Sequence, residues 1–470
     1  MSVPSVSNSI TIRLELPSRI TAVSEITTAV SDVGGMVTAV DISESGTERL
    51  QADLTIATRG TEHAAEVVEA IGKVHGVEIG RVSDRTFLAH LGGKLEVKSK
   101  LPIRNRDDLS LVYTPGVAKI CQAIADNPED ARTLTIKRNT VAVVTDGSAV
   151  LGLGDIGPLA ALPVMEGKAA LFKRFADIDA FPICLDAHDA DEIVRIVKAL
   201  SPGFAGINLE DISAPRCFYI EARLREELDI PVFHDDQHGT AIVALAALTN
   251  ALRVVGKEMA DVKIVMSGAG AAGSAIIRLL LRAGARNLVV ADVHGVIHAR
   301  RADVASGSNG NLAWIASQTN QGLETGTLRE ALAGADVFIG VSAGNILTGD
   351  DIATMNTDAI VFAMANPVPE VDPTEASQHA TVVATGRSDF ANQINNVLVF
   401  PGVFRGLLDA RSEHIDDDLL MAAASALADV VAPDELNPSY IIPSVFNPEV
   451  TKAVAKAVEE TARARQESRS

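Results

Sequence analysis

One stretch near the middle of the chain admits very few folds. Asp261-Val-Lys-Ile-Val-Met266 has the apolar, β-branched character of a buried strand. Ser267-Gly-Ala-Gly-Ala-Ala-Gly273 follows at once, then a proline-free amphipathic segment, Ser274 to Ala283, stopped by Gly284. A second apolar run, Asn287 to Ala291, ends in Asp292, nineteen positions after Gly273. Strand, glycine-rich turn, helix and strand ending in an acid make the dinucleotide-binding βαβ fingerprint. In it Gly268 permits the tight turn, Gly270 lets the backbone approach a pyrophosphate, and Gly273 allows close helix packing. The helix N-terminus faces the phosphates, and Asp292 is placed to accept from a ribose 2′-hydroxyl. Asp292 favours NAD because a 2′-phosphate would sit against its charge. His294, Arg300 and Arg301 leave NADP open.

An earlier match, Gly152, Gly154 and Gly157 in Leu151-Gly-Leu-Gly-Asp-Ile-Gly157, also satisfies the spacing, with Asp177 about twenty residues on. It is rejected as the dinucleotide site because Pro158 and Pro163 are expected to interrupt the helix that must follow. The segment Glu166-Gly-Lys168 is expected to place Lys168 near a helix start. A lysine there is ordinarily a surface residue.

Two acidic clusters follow short apolar runs: Glu210 and Asp211 after Phe204–Leu209, and Asp235 and Asp236 after Pro231-Val-Phe-His234. Acids just past strands sit where open α/β sheets gather ligands. Their oxygens suit Mg²⁺ or Mn²⁺, and no cysteine lies among them to favour zinc. Taken singly, each acid reads as a solvated strand end or a helix cap. Asn366 and Asn395 lie on later strand-end loops, where an amide could meet a substrate or cap a turn.

Residues 9–86 alternate as strand (Ile10–Leu16), helix (Arg19–Val33), strands (Met36–Ile42, Leu50–Ala57), helix (Thr61–Val74) and strand (Val77–Val82). The order βαββαβ is ferredoxin-like. It resembles an ACT domain, and the Asp32-Val-Gly-Gly-Met36 turn matches the loop where such modules hold an effector. A dimerisation module without ligand is the alternative. A charged connector leads to Tyr113, which Pro115 and Gly116 place on a loop.

At 470 residues the chain should divide into two to four domains. Its formal net charge of −20 and lack of a basic run argue against nucleic-acid binding. The three cysteines are scattered, without a CxxC spacing. The N-terminus has no basic segment followed by an apolar core, so a cytoplasmic location is expected. No apolar run is expected to be long enough to span a bilayer; Thr240 to Leu252 comes nearest.

Several motifs together resemble malic enzyme, from about residue 95 onward. They are Tyr113-Thr-Pro-Gly-Val117, Asp146-Gly147 with Leu151–Gly157, Glu166-Gly-Lys168, Asn208-Leu-Glu-Asp211, His234-Asp-Asp-Gln-His-Gly-Thr240, Ala365-Asn-Pro367 and Asn395-Asn-Val-Leu-Val-Phe-Pro-Gly402. The resemblance is to the short bacterial type, with an ACT-like module in front. It implies oxidation of (S)-malate at C2 and decarboxylation to pyruvate and CO₂, with NAD and a divalent metal. By the same match Lys168 is the base and Tyr113 the acid. Glu210, Asp211 and Asp236 hold the metal, with Asp235 behind them; Asn366 and Asn395 contact substrate, and Asn366 also contacts the cofactor. Lys168 would need its pKa lowered to serve. The animal-type arginine after the Asp-Gly turn is missing; Asp146-Gly-Ser-Ala149 stands there, which leaves Ser148, the metal or other residues that the sequence does not single out to hold the malate carboxylate. A malolactic or oxaloacetate-decarboxylating relative, a non-decarboxylating dehydrogenase and a catalytically inert sensor are the alternatives. The expected architecture is an ACT-like regulatory domain (1–90), an α/β substrate and metal domain (91–237) and a Rossmann-type, doubly wound NAD domain with C-terminal helices (238–470). The resemblance further implies a homodimer or larger homo-oligomer.

Overall fold

A computed structural model describes residues 4–19, 21–45, 48–307 and 309–469. They fall into two units, Met1–Glu96 and Val97–Ser470.

The first unit has the element order β1 (Ser5–Pro17), α1 (Ala22–Asp32), β2 (Met36–Ser45), β3 (Arg49–Thr58), α2 (Thr61–Gly72) and β4 (Glu78–Asp84), followed by a short helix, Arg85–His90. Its strands form one sheet in the order β2-β3-β1-β4, and the β2–β3, β3–β1 and β1–β4 pairs are all antiparallel. Period-two alternation drives it: Ile10, Ile12, Leu14 and Leu16 are buried on one face, against Ile26 and Val30 of α1 and Val67 and Ile71 of α2. The βαββαβ expectation therefore holds element by element; Ile20, within the expected first helix, lies outside the described residues.

The second unit contains two sheets. The first has the order β6-β5-β7-β8, with β5 (Thr140–Thr145), β6 (Asp179–Cys184), β7 (Gly206–Leu209) and β8 (Val232–His234) all parallel. Every residue of β5, β7 and β8 is buried, as parallel strands covered on both faces require. The second has the order β11-β10-β9-β12-β13-β14. Here β9 (Lys263–Ser267), β10 (Asn287–Asp292), β12 (Val337–Gly340), β13 (Ile360–Ala363) and β14 (Val382–Thr385) run parallel, and β11 (Gly295–Val296) pairs antiparallel with β10. The order reverses between β9 and β12, the switch point at which doubly wound sheets open a crevice. That is the Rossmann arrangement expected for the glycine-rich turn.

Two expectations fail. Pro158 and Pro163 do not interrupt a helix: Pro158–Ala176 is helical throughout its 19 residues. Pro158 occupies its first turn, where a missing N–H costs nothing. Lys168 consequently lies in the middle of this helix, buried, not near its start. Second, the helix spanning Asp235–Val255 is long and apolar enough to cross a membrane. It is mostly buried inside the protein, where Ala241 to Leu248 form the spine of the main core.

Candidate active site

The first sheet delivers the acids. Asp146 follows β5, Glu210 and Asp211 follow β7, and Asp235 and Asp236 follow β8, all at carboxyl ends. Asp211 adopts a left-handed backbone (φ 54°), which a short polar side chain tolerates and which marks a constrained position. Its N–H donates to Asp236 Oδ2 at 2.8 Å. Oxygens of Glu210, Asp211 and Asp236 lie within 4.8 Å of one another, and Asp211 Oδ2 is buried without a hydrogen-bond donor. A carboxylate oxygen left unpaired in the interior is costly unless something positive reaches it. The set is all oxygen, so a hard divalent cation fits it.

Asp235 and Asp236 open a π-helical turn, Asp235–Gly239, which runs into the helix Thr240–Val255. The turn sends neighbouring acids to different partners: Asp236 to Asp211, and Asp235 to Lys168. Buried Glu221 fixes it from behind. It accepts from the His234 N–H (3.2 Å), Gln237 Nε2 (3.3 Å) and His238 Nε2 (2.8 Å). Gly239 is there for room, since a Cβ would lie 2.1 Å from Asp235 Oδ1.

Lys168 Nζ donates to Asp235 Oδ2 at 2.5 Å and lies 2.9 Å from Glu210 Oε1. It also stands 4.1 Å above the Phe400 ring. Phe172, one turn further along the same helix face, packs on Phe400 at 4.7 Å and so aims the lysine. Burial alone would lower the amine, as the sequence reading required. The charges of Asp235 and Glu210 outweigh it and hold the amine above its ordinary range, which corrects that expectation for the chain without metal. Burial, with Asp236 beside it, pushes Asp211 up to about 7. Burial likewise raises Glu210 and Asp235.

The other expected residues divide. The Ser148 hydroxyl is already engaged: it donates to Asp146 Oδ1 at 2.6 Å and accepts from the Ser213 N–H at 2.9 Å. Asp146 Oδ2 is paired with Arg216 at 2.5 Å, a cation that sequence reading missed. Asn395 caps a short turn through the Val397 N–H, at 3.0 Å. Its neighbour Asn396, also missed, reaches Asp235 Oδ2. Asn366 is exposed after β13, and its carbonyl closes on the Leu151–Gly157 loop: a Cβ on Gly152 would lie 2.6 Å from it. Loops of the two sheets therefore meet beside the cluster. Tyr113 is 68% exposed, and no described hydrogen bond joins it to the cluster.

At the second sheet, Gly268 (φ +111°) and Gly273 have no room for a side chain: a Cβ would sit 2.5 Å from the Val341 carbonyl and 2.1 Å from the Gly268 carbonyl. A Cβ on Gly270 would meet no protein atom within 4 Å, so this side of the turn is open. The following helix, Ala271–Arg282, has no side-chain cap and presents free N–H groups. Both features fit a bound pyrophosphate. Asp292 is gripped by Arg301 Nη1 (2.8 Å) and Nη2 (2.6 Å). Arg301 is held in turn by Asp303 at 2.8 and 2.9 Å.

Residues 92–225 match the family model "Malic enzyme, N-terminal domain", and residues 237–463 match "Malic enzyme, NAD binding domain". The chain belongs to the malic enzyme family. It is 56% identical to an NAD-dependent malic enzyme of Geobacillus stearothermophilus over 96% of this chain and 94% of that one. It is 55% identical to a bifunctional malic/malolactic enzyme of Bacillus subtilis over 79% and 92% of the two chains. A crystal structure of NAD-dependent malic enzyme from Thermotoga maritima superposes with a TM-score of 0.77 at 49% identity, covering 80% of this chain and 99% of that one. Malic enzymes thus share the two-sheet unit, and the family assignment from residue 95 onward holds.

Proposed function

We propose that this chain oxidises (S)-malate with NAD as acceptor and releases CO₂, giving pyruvate and NADH. The observation that carries the reading is a buried lysine within 2.9 Å of an acid cluster, in the same unit as a dinucleotide turn. Glu210, Asp211 and Asp236 would hold Mg²⁺ or Mn²⁺. When bound, the ion supplies an electrophile for the C2 oxygen and the dinucleotide a two-electron acceptor. Lys168 Nζ takes the C2 hydroxyl proton. To do so it must be neutral; it lies 2.9 Å from Glu210, one of the acids that would hold the ion, so an ion there would weaken the hold on the ammonium. Tyr113 returns a proton at C3 once CO₂ has left. Asn366 and Asn395 contact the substrate.

Tyr113 is exposed, as are Leu101, Ile103 and Leu111 shortly before it in the chain. In this reading a second copy of the chain covers these residues, in a homodimer or larger assembly. Residues 1–90 are an ACT-like module for a small effector, supported by the Gly34 turn that Arg59 and His63 bracket through the Val33 carbonyl. A cytoplasmic location completes the reading.

The test is a malate assay with NAD or NADP, with and without Mn²⁺, that counts products. Pyruvate, CO₂ and NADH in equal amounts, faster with NAD and only with metal, is the expected result. Absence of NADH formation sinks the reading. Lactate formed without net NADH would favour malolactic chemistry, the reading that the bifunctional Bacillus subtilis relative supports.

A further inference from the structure

Four arginines converge on one concavity at the end of the first sheet opposite the acids. Arg132, Arg138, Arg405 and Arg411, with Leu408 and Asp409, line a cavity of about 300 Å³. Arg138 lies just before β5, and Ala205, also at the wall, lies just before β7. The cavity therefore opens at the strands' amino ends, one strand length (roughly 20 Å) from Asp146, Glu210 and Asp211.

The charges there are poorly balanced. Arg405 is chelated by Asp409 at 2.9 and 2.6 Å, and its remaining arm donates to Asn139 Oδ1 at 2.8 Å. Arg132 is only 12% exposed, yet its nearest acid, Glu129, is 3.9 Å away, beyond hydrogen-bond reach. Arg138 and Arg411 have no ion-pair partner among the described residues. Lys137 next door is occupied by the carbonyls of Ser201, Pro202 and Phe204 at 3.3, 3.1 and 2.7 Å. A chain with net charge −20 has acids to spare, yet one wall gathers four guanidiniums around a single firmly engaged carboxylate. Their planar forks match carboxylate and phosphate oxygens. The volume suits a small metabolite.

We propose that this cavity binds a small polyanion carrying two or more carboxylate or phosphate groups, at a site separate from the catalytic cleft. The test is calorimetric titration of the full-length, metal-free chain, with the dinucleotide turn filled by NADH. Pyrophosphate and citrate are the probes, in separate runs. Saturable binding of either is expected, with affinity falling at least tenfold in Arg138→Gln/Arg411→Gln, whose substituted side chains are both exposed. Arg132→Gln should weaken binding as well, and Lys168→Met should leave it unchanged. Pyrophosphate alone binding would mark phosphate esters as the natural source; citrate alone, polycarboxylates. No saturable binding of either probe, or equal affinity in wild type and double variant, overturns the proposal.

Discussion

Lys168 has its charge fixed by residues far apart in sequence. Asp235 and Glu210 hold it above its ordinary range although it is buried. Removing the ammonium in Lys168→Met should lower malate turnover by about 10²-fold or more, the usual weight of a positioned proton carrier. Fluorescence titration should find NADH binding retained. The variant should also melt earlier, because losing one partner of a buried pair costs about 3–5 kcal/mol. Asp211 gives a pH signature. Its folded pKa of about 7 lies above the ordinary carboxyl value, so the folded state binds the extra proton. The resulting stability is fully present below the unfolded value near ~4 and is lost as pH rises to about 7. A cation needs the ionised form, so the rise in melting temperature on adding Mn²⁺ should grow from pH 5.5 to 7.5. A shift independent of pH would remove Asp211 from the ion site. Glu210, Asp211 and Asp236 were legible because each lies just past an apolar run, whereas Lys168 stood out only through the family resemblance. Glu221, Asn396 and Arg216 were not. The contacts that tie them to the site reach thirteen to 161 positions along the chain, and no local motif marks them.

Among elements, the glycine-rich turn was the most legible, since its sequence carries both the strand and the helix that confirm it. Gly273→Ala places a methyl 2.1 Å from the Gly268 carbonyl, so the turn must shift. NADH affinity should fall by at least tenfold (~1.4 kcal/mol), measured by nicotinamide fluorescence. Of the nearby cations, Arg301 is already engaged. Asp292 and Asp303 occupy its fork from both sides. Asp292→Ser should free one side of that fork and raise NADPH affinity relative to NADH about tenfold or more. An unchanged ratio would mean that other residues select the cofactor. The π-helical turn at Asp235 was not legible, because its extra residue is stabilised by Glu221 from another helix and not by its own sequence. Pro158 misled for a related reason: proline breaks a helix interior but favours its first turn, and sequence spacing alone did not locate the first turn.

For the whole molecule, alternation gave the first unit its sheet, and continuous apolar runs gave the second unit its parallel strands. What sequence could not give was the path between the two sheets, which the C-terminal helices complete through Phe172, Phe400 and Phe404. The exposed leucine two positions before Tyr113 makes a prediction at this scale. Leu111→Asp should shift sedimentation toward a smaller species and lower turnover in step. Full turnover in a monomeric variant would show that no second copy is needed. One rod joins the two basic features of this unit. The helix Phe400–Ala410, roughly 16 Å long, starts beneath the Lys168 ammonium, and its final turn helps to floor the arginine bowl. With a polyanion in that basin, as proposed above, both ends of this one helix would be engaged, its first residue under the Lys168 amine and its last turn at the solute.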